Sequence, residues 1–332
     1  MGAAMTIRIG ISGWRYAGWR NNFYPPQLTQ AHELAFASRA LSTIEINGSH
    51  YALQTPKSYR SWHDTTPDDF LFSVKAPRYV THILRLRGEE CKTAIANFMA
   101  SGLFNLRAKL GPILWQFPPS LRYDEALFER FLSWLPSHSG EAARFASQHD
   151  RHVRDACTKI DEERPMRHAI EIRNASFCTP AFADMLRHYR VALVASDSPG
   201  TWPYAEDVTS DFVYMRLHGA KILYNGEYAD ASLDRWADRI LTWANGNEPN
   251  DAQRIGAAAK ARAQRDVFCY MDNDQKVNAP FDAARMLSRV LGHAVENDRR
   301  SLQASLWSDE RIQPLMNSKK RNMSVAAFSP DA

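Results

Sequence analysis

Phe212-Val213-Tyr214-Met215-Arg216-Leu217-His218 opens apolar and aromatic and turns charged and ionisable only towards its C-terminal end. Three other runs do the same: Ser42-Thr43-Ile44-Glu45-Ile46-Asn47, Ala169-Ile170-Glu171-Ile172-Arg173 and Val267-Phe268-Cys269-Tyr270-Met271-Asp272. Successive side chains of a strand point to opposite faces, so Arg216 pairs with His218, Glu171 with Arg173 and Glu45 with Asn47. Their neighbours Ile44, Ile46, Ile170, Ile172, Met215 and Leu217 take the other face, which suits covering helices. Polarity recurring at one end of successive strands is the pattern of a (β/α) barrel, whose pocket lies at the C-terminal ends of its strands.

Outward from these runs, strands are expected at 7–12, 42–47, 69–75, 110–117, 167–173, 190–197, 211–218 and 266–273. Helical periodicity fills 28–41, 91–109, 124–135, 180–189, 232–246 and 251–265. Alternating strands and helices favour parallel βαβ units, and the fold class is α/β, a single TIM-type (β/α)8 barrel over residues 5–295. Two irregularities interrupt it. Ser198-Pro-Gly-Thr-Trp-Pro-Tyr carries too many breakers for a helix, so the crossover between strands six and seven is irregular. The polar stretch 137–164 reads as an insertion of helix and loop between strands four and five. Beyond 296 the periodicity fades into a weakly ordered basic tail, 296–332.

With 332 residues and 45% hydrophobic content the chain can bury a large core. Its net charge of +4, from 41 basic and 37 acidic residues, is a mixed surface and argues against a histone-like binder. Cys91, Cys157, Cys178 and Cys269 stand singly, without a C-x-x-C pair, which points to a reducing compartment. Neither a leader pattern nor a membrane-length apolar run occurs, so a cytoplasmic protein without membrane association is expected.

Lys75, Gln116 and Asp197 end strands three, four and six, and Asp272-Asn273-Asp274 ends strand eight. His218 is a candidate proton-transfer group, since imidazole titrates near neutrality and the neighbouring Arg216 would favour its neutral form. Glu45 and Glu171 become acid and base if their surroundings separate their pKa values; alternatively, Glu171 is simply paired with Arg173 or Arg216. Lys75, Arg173 and Arg216 suit a carboxylate or phosphate. Trp14, Tyr16, Trp19, Tyr51 and Trp202 could stack on a sugar or base or seal the barrel top. Glu45, Glu171, Asp197, His218 and Asp272 match metal ligands in type, but the interspersed cations argue against a metal, and none is assigned. His149 and His152 are read as surface residues. The chain contains no phosphate loop, dinucleotide fingerprint or G-x-S-x-G elbow, and no cofactor is expected.

Gly10-Ile-Ser-Gly-Trp-Arg-Tyr, Phe23-Tyr24-Pro25, Ile44-Glu45-Ile46-Asn47, Phe70-Leu-Phe-Ser-Val-Lys75-Ala-Pro, Thr81-His82 and Leu110-Gly-Pro-Ile-Leu-Trp-Gln116-Phe-Pro-Pro119 resemble blocks of the YecE-like family. Ala169-Ile-Glu171-Ile-Arg173-Asn-Ala-Ser176-Phe177, Asp197-Ser-Pro and Tyr214-Met-Arg216-Leu-His218-Gly219 continue the resemblance, in the same order, over about 7–292. It implies one TIM-type barrel and no established reaction. Departures lie at Gly48-Ser49-His50-Tyr51 and at Met271-Asp272-Asn273-Asp274, where an extra carboxylate enters.

The expectation is an enzyme using acid–base chemistry on a small anionic substrate, of a kind suited to hydrolysing a phosphoester or glycosidic bond. Glu45, Glu171, Asp197 and His218 are the catalytic candidates; Lys75, Arg173, Arg216, Asn47, Gln116, Tyr51, Trp14 and Asn273 are the substrate-binding candidates. A non-catalytic barrel binding a ligand or nucleic acid, helped by the basic tail, is the alternative. A metal-dependent isomerase or nuclease is the third reading.

Overall fold

The computed structural model describes residues 6–219, 223–224, 226–273, 277–294 and 298–315. Eight parallel strands, β1 (Ile7–Ser12), β2 (Thr43–Ile46), β3 (Leu71–Lys75), β4 (Leu110–Gln116), β5 (His168–Glu171), β6 (Ala192–Asp197), β7 (Phe212–Leu217) and β8 (Asp266–Met271), close into a barrel in sequence order. β8 pairs with β1, so no sheet edge is left open. The outer layer holds α1 (Glu33–Ala40), α2 (Gly48–Tyr51), α3 (Pro56–Thr65), α4 (Gly88–Ala100), α5 (Glu125–Ser133), α6 (Ser139–Ala146), α7 (Pro180–His188), α8 (Asp230–Ala244), α9 (Ala279–Val290) and α10 (Arg299–Ser308).

Strand parity separates two apolar compartments. Ile44, Ile46, Ile170, Ile172, Met215 and Leu217 join the core between strands and helices. Leu114, Ala169, Val194, Phe212, Tyr214, Phe268 and Tyr270 fill the lumen. Gly10 lets β1 approach β2, because a Cβ there would stand 1.8 Å from the Thr43 carbonyl oxygen. Above the lumen core the Tyr214 and Tyr270 rings lie 5.0 Å apart. Tyr270 Oη meets Thr43 Oγ1 at 3.0 Å and Ser73 Oγ at 2.5 Å, which satisfies a buried hydroxyl. These tyrosines are the floor of the mouth.

The crossover from β6 to β7 has no helix, as its breakers predict. The 251–265 segment, expected to be helical, is not: its backbone turns outward to buried carboxylates of that crossover. Glu206 Oε2 accepts from the Gln253 N–H, and Asp207 takes the N–H groups of Ile255 and Gly256 at 2.8 Å each. Amides committed to these carboxylates are unavailable for i to i−4 bonds, so tertiary pairing overrides the local periodicity. α3 and α9 were not anticipated. Each carries Pro in its first turn, and α3 is capped by Thr55, which accepts from the Ser58 N–H.

The 137–164 insertion contains α6 and is tied down at both ends. Ser139 N–H donates to the Arg164 carbonyl, Met166 N–H donates to the Ser137 carbonyl, and Asp150 exchanges two hydrogen bonds with Asn97 of α4. His152 is exposed, as expected of a surface residue.

The expected tail from 296 is corrected over 299–315. α10 is capped by Asp298, which accepts from the Ser301 N–H, and it docks on the barrel with Leu302 and Ile312 buried and Trp307 Nε1 donating to the Phe23 carbonyl at 3.0 Å. Its apolar positions are too sparse to stand out locally, and the surface they cover is distant in sequence. The rest of the expected tail, 316–332, lies outside the described residues.

Replacing Ile312 by Ala should cost about 2 kcal/mol, the lower end for a buried Ile because the segment after α10 can detach and relax. A urea midpoint identical to wild type would mean that the segment carries no packing.

Candidate functional site at the barrel mouth

Arg216 enters the mouth from β7 with only 1% of its side chain exposed. Nη1 donates to Glu171 Oε2 at 2.6 Å, and Nη2 donates to Glu45 Oε1 at 3.0 Å, Asp272 Oδ2 at 2.9 Å and Ser12 Oγ at 3.1 Å. Register explains the convergence: β1 pairs Ser12 with Glu45, and β7 pairs Arg216 with Tyr270, one luminal position below Asp272. The floor contributes too, since Tyr214 Oη donates to Glu45 Oε2 at 2.6 Å and Ser12 Oγ donates to Glu45 Oε1 at 2.5 Å. Asn47 extends this row by donating to Ser12 Oγ at 3.1 Å.

Arg173 grips Glu171 from above, with Nε 2.9 Å from Oε1. Its guanidinium lies 3.5 Å from the centre of the Trp202 ring, and Nη2 donates to Tyr224 Oη at 3.3 Å. His218 is wholly covered: Trp202 and Tyr224 meet its ring edge to face at 5.2 and 5.4 Å. Its Nδ1 stands 3.0 Å from Asp272 Oδ2 and its Nε2 stands 3.6 Å from Glu171 Oε1.

Burial alone would raise the Glu171 carboxyl, but Arg173 and Arg216 reverse this and hold it well below the usual range. Asp272 behaves likewise: burial opposes ionisation, while Arg216, His218 and Lys75 bring it down to about 2. Both are fixed as carboxylates at neutral pH. Glu171 is ion-paired with both Arg173 and Arg216, the alternative the sequence offered for it, and Glu45 is ion-paired with Arg216.

Lys75 differs from the arginines. It is 8% exposed, and its ammonium has no hydrogen-bond or salt-bridge partner among the described residues. Burial and then Arg216 push it down to about 8, against the pull of Glu45, Glu171 and Asp272. On its other side stand His50, pushed down to about 3, and His82, pushed down to about 4, in both cases by burial first and Lys75 next. Both imidazoles are therefore neutral at pH 7. His50 Nδ1 lies 2.8 Å from the Ala76 carbonyl, and His82 Nδ1 lies 2.8 Å from Thr81 Oγ1. Gln116 faces the same space, 3.5 Å from His82 Nε2.

His82 was missed as a site residue, although the local backbone marks it. It sits on a π-helical turn, Tyr79–Ile83, followed by Arg85 and Leu86 at φ of 51° and 64°. π-turns and non-glycine residues in left-handed conformation concentrate at functional sites. Ser12, Tyr214 and Tyr224 were also missed; for Tyr214 the signal was available, because it shares strand parity with Arg216.

Two expected site residues face elsewhere. Asp197 pairs in register with outward-facing Leu217, so Ser196 takes the luminal position beside Arg216. The Asp197 carboxylate instead accepts from Tyr228 Oη at 3.0 Å, and burial raises its pKa. Asn273 likewise turns away from the lumen and donates to Asp282 of α9 at 2.7 Å and to the Gly226 carbonyl at 2.9 Å. Asp274, the last of the strand-eight acids, lies outside the described residues. Trp14 is buried edge to face on Trp62 and, with Asn47 and Tyr51, lines a cavity of about 330 Å³. Tyr51, 74% exposed, also borders a groove of about 570 Å³ over Tyr79, Ile83 and α4. Both cavities flank the charged cluster rather than contain it. Glu45, Glu171 and Asp272, three of the four carboxylates that resembled metal ligands, converge on the Arg216 guanidinium, which occupies the position a cation would need there.

A family model described as "Protein of unknown function DUF72" matches residues 8–305. The chain belongs to the DUF72 family. The curated relatives of this DUF72 protein include UPF0759 protein YunF of Bacillus subtilis, 30% identical over 124 residues, or 34% of this chain and 40% of that one. UPF0759 protein YecE of Escherichia coli K12 is 30% identical over 132 residues, 39% of this chain and 44% of that one. The matches thus span less than half the length of these relatives. Among solved structures, DUF72 proteins of Thermotoga maritima MSB8 and Enterococcus faecalis V583 share the fold, at TM-scores of 0.62 and 0.60 and identities of 20% and 17%. The first covers 86% of this chain and 99% of its own; the second covers 88% and 99%. No described helix is long and apolar enough to cross a membrane.

Arg216→Met would strand three carboxylates and should destabilise the fold by about 3–5 kcal/mol at pH 7. In the wild type, depressed carboxyl values stabilise the fold above the unfolded value of about 4, and this stability disappears as pH falls towards 2. The variant should show the opposite sign, its melting temperature rising between pH 7 and pH 5 as the stranded carboxylates take up protons. A flat profile there would contradict the central role given to Arg216.

Proposed function

We propose that this DUF72 protein is an enzyme that binds a small anionic substrate at the C-terminal mouth of its barrel and acts on it by acid–base chemistry. The observation that carries this is Lys75. Arg173 and Arg216, expected to bind the anion, are committed to Glu171, Glu45 and Asp272, whereas the Lys75 ammonium has no partner among the described residues. A buried charge without a partner is costly, and an anionic ligand would relieve that cost.

The groups around it suit proton transfer. Asp272 keeps 17% of its side chain exposed while Glu45 and Glu171 are sealed, so Asp272 offers an open carboxylate edge, steadied by Arg216 and His218. It is ionised and would act as the base. His82, neutral at pH 7, is a second acceptor, and Gln116 beside it can donate to substrate oxygen. His218, enclosed by Trp202 and Tyr224, fits a positioning role towards Asp272 better than direct contact. The basic run 319–321, on which nucleic-acid attraction would lean, lies outside the described residues.

Inorganic phosphate titrated calorimetrically at pH 7 should bind the wild type. Lys75→Met should weaken binding about ten- to a hundredfold, the worth of one charge-assisted hydrogen bond of about 1.5–3 kcal/mol. Wild-type affinity should fall as pH rises through about 8, where the ammonium loses its proton. Phosphate affinity unchanged in the folded variant would refute Lys75 as the anchor.

A further inference from the structure

The surroundings of Lys75 suit more than holding a charge. Its nitrogen ends a side chain more than nine-tenths buried, has no hydrogen-bond or salt-bridge partner among the described residues, and is not among the side-chain atoms that are both fully shielded and unpartnered, so its tip is accessible. A lysine used only to balance the carboxylates would be expected to pair with one, as Arg173 and Arg216 do. Here Arg216 has taken those positions and excludes Lys75 by like-charge repulsion.

We infer that Lys75 is an amine nucleophile that forms an imine with the carbonyl carbon of a small oxo acid. This rests on the anionic-substrate reading and names the substrate class. With the ammonium brought down to about 8, about a tenth of the amine is neutral at pH 7, about 200-fold more than for a lysine at its ordinary value. The protonated majority attracts the carboxylate, and the neutral fraction attacks the adjacent carbonyl. The nitrogen lone pair forms the C–N bond while the C=O π electrons move to oxygen. A proton shed by nitrogen passes to that oxygen, giving the carbinolamine. A second proton, from solvent, lets the oxygen leave as water while the nitrogen lone pair forms the C=N bond. The product is an iminium, so the positive charge stays at nitrogen and its pairing with the substrate carboxylate is kept. Glu45, Glu171 and Asp272, whose fields already favour a cation at this nitrogen, stabilise it further. The iminium makes the adjacent carbon acidic, and the open edge of Asp272 is the base on hand to take that proton.

The test is reductive trapping on the full-length protein with glyoxylate, the simplest probe of this class, and cyanoborohydride, read by intact and peptide mass. The expected product is a single addition equal to glyoxylate less one oxygen, on the peptide bearing Lys75, forming at least tenfold faster than at any surface lysine and accelerating between pH 7 and pH 9. Lys75→Arg should retain phosphate binding and lose this label; Lys75→Met should lose the label and bind phosphate about ten- to a hundredfold more weakly. No label at Lys75, or labelling no faster than at surface lysines, overturns the nucleophile assignment, and phosphate binding that is still weakened in Lys75→Met then leaves the anion reading standing. Phosphate binding unaffected in Lys75→Met overturns the anion reading itself.

Discussion

A guanidinium buried among three carboxylates governs this molecule. Arg216 could not sit in a sealed barrel mouth without Glu45, Glu171 and Asp272, and none of those could remain ionised there without it. Because the four residues come from strands β2, β5 and β7 and from the end of β8, their mutual demand fixes strand register around the barrel. The tyrosine floor serves the same end, giving Glu45 a hydroxyl donor on its lower side and closing the apolar lumen beneath the charges.

This arrangement divides the cations by task. An arginine offers several donors in one plane and can satisfy carboxylates on different strands simultaneously, as Arg216 does. A lysine is a point charge on a flexible stem whose proton affinity yields readily to burial. On the function we propose, a lysine beside a saturated arginine cluster would be both attracted to an anion and partly deprotonated. Swapping these residue types would lose both properties.

Much of the fold was legible because it rests on short-range rules. Alternation along Phe212–His218 and its counterparts predicted the strands to within about two residues, and breakers after Asp197 predicted the missing crossover helix. Parity also placed Glu45, Glu171 and Arg216 in one mouth. Asp197 and Asn273 were placed by strand end alone, which does not distinguish lumen from outside; one residue of register separates the two faces. The 251–265 segment misled for a different reason, since its amides are claimed by Glu206 and Asp207, 47 to 49 residues away along the chain.

The sequence by itself determined the barrel, the strands that carry polar ends and the mixture of charges in the mouth, because periodicity and residue type are local properties. Only the tertiary structure decided which charges are spent on one another. Arg173 and Arg216 look as available as Lys75 when read along the chain. Distance and burial engage the first two and leave the third without a partner among the described residues, because pairing depends on where side chains from different strands meet. The docking of α10 was decided in the same way, by a surface assembled from segments that the chain keeps far apart.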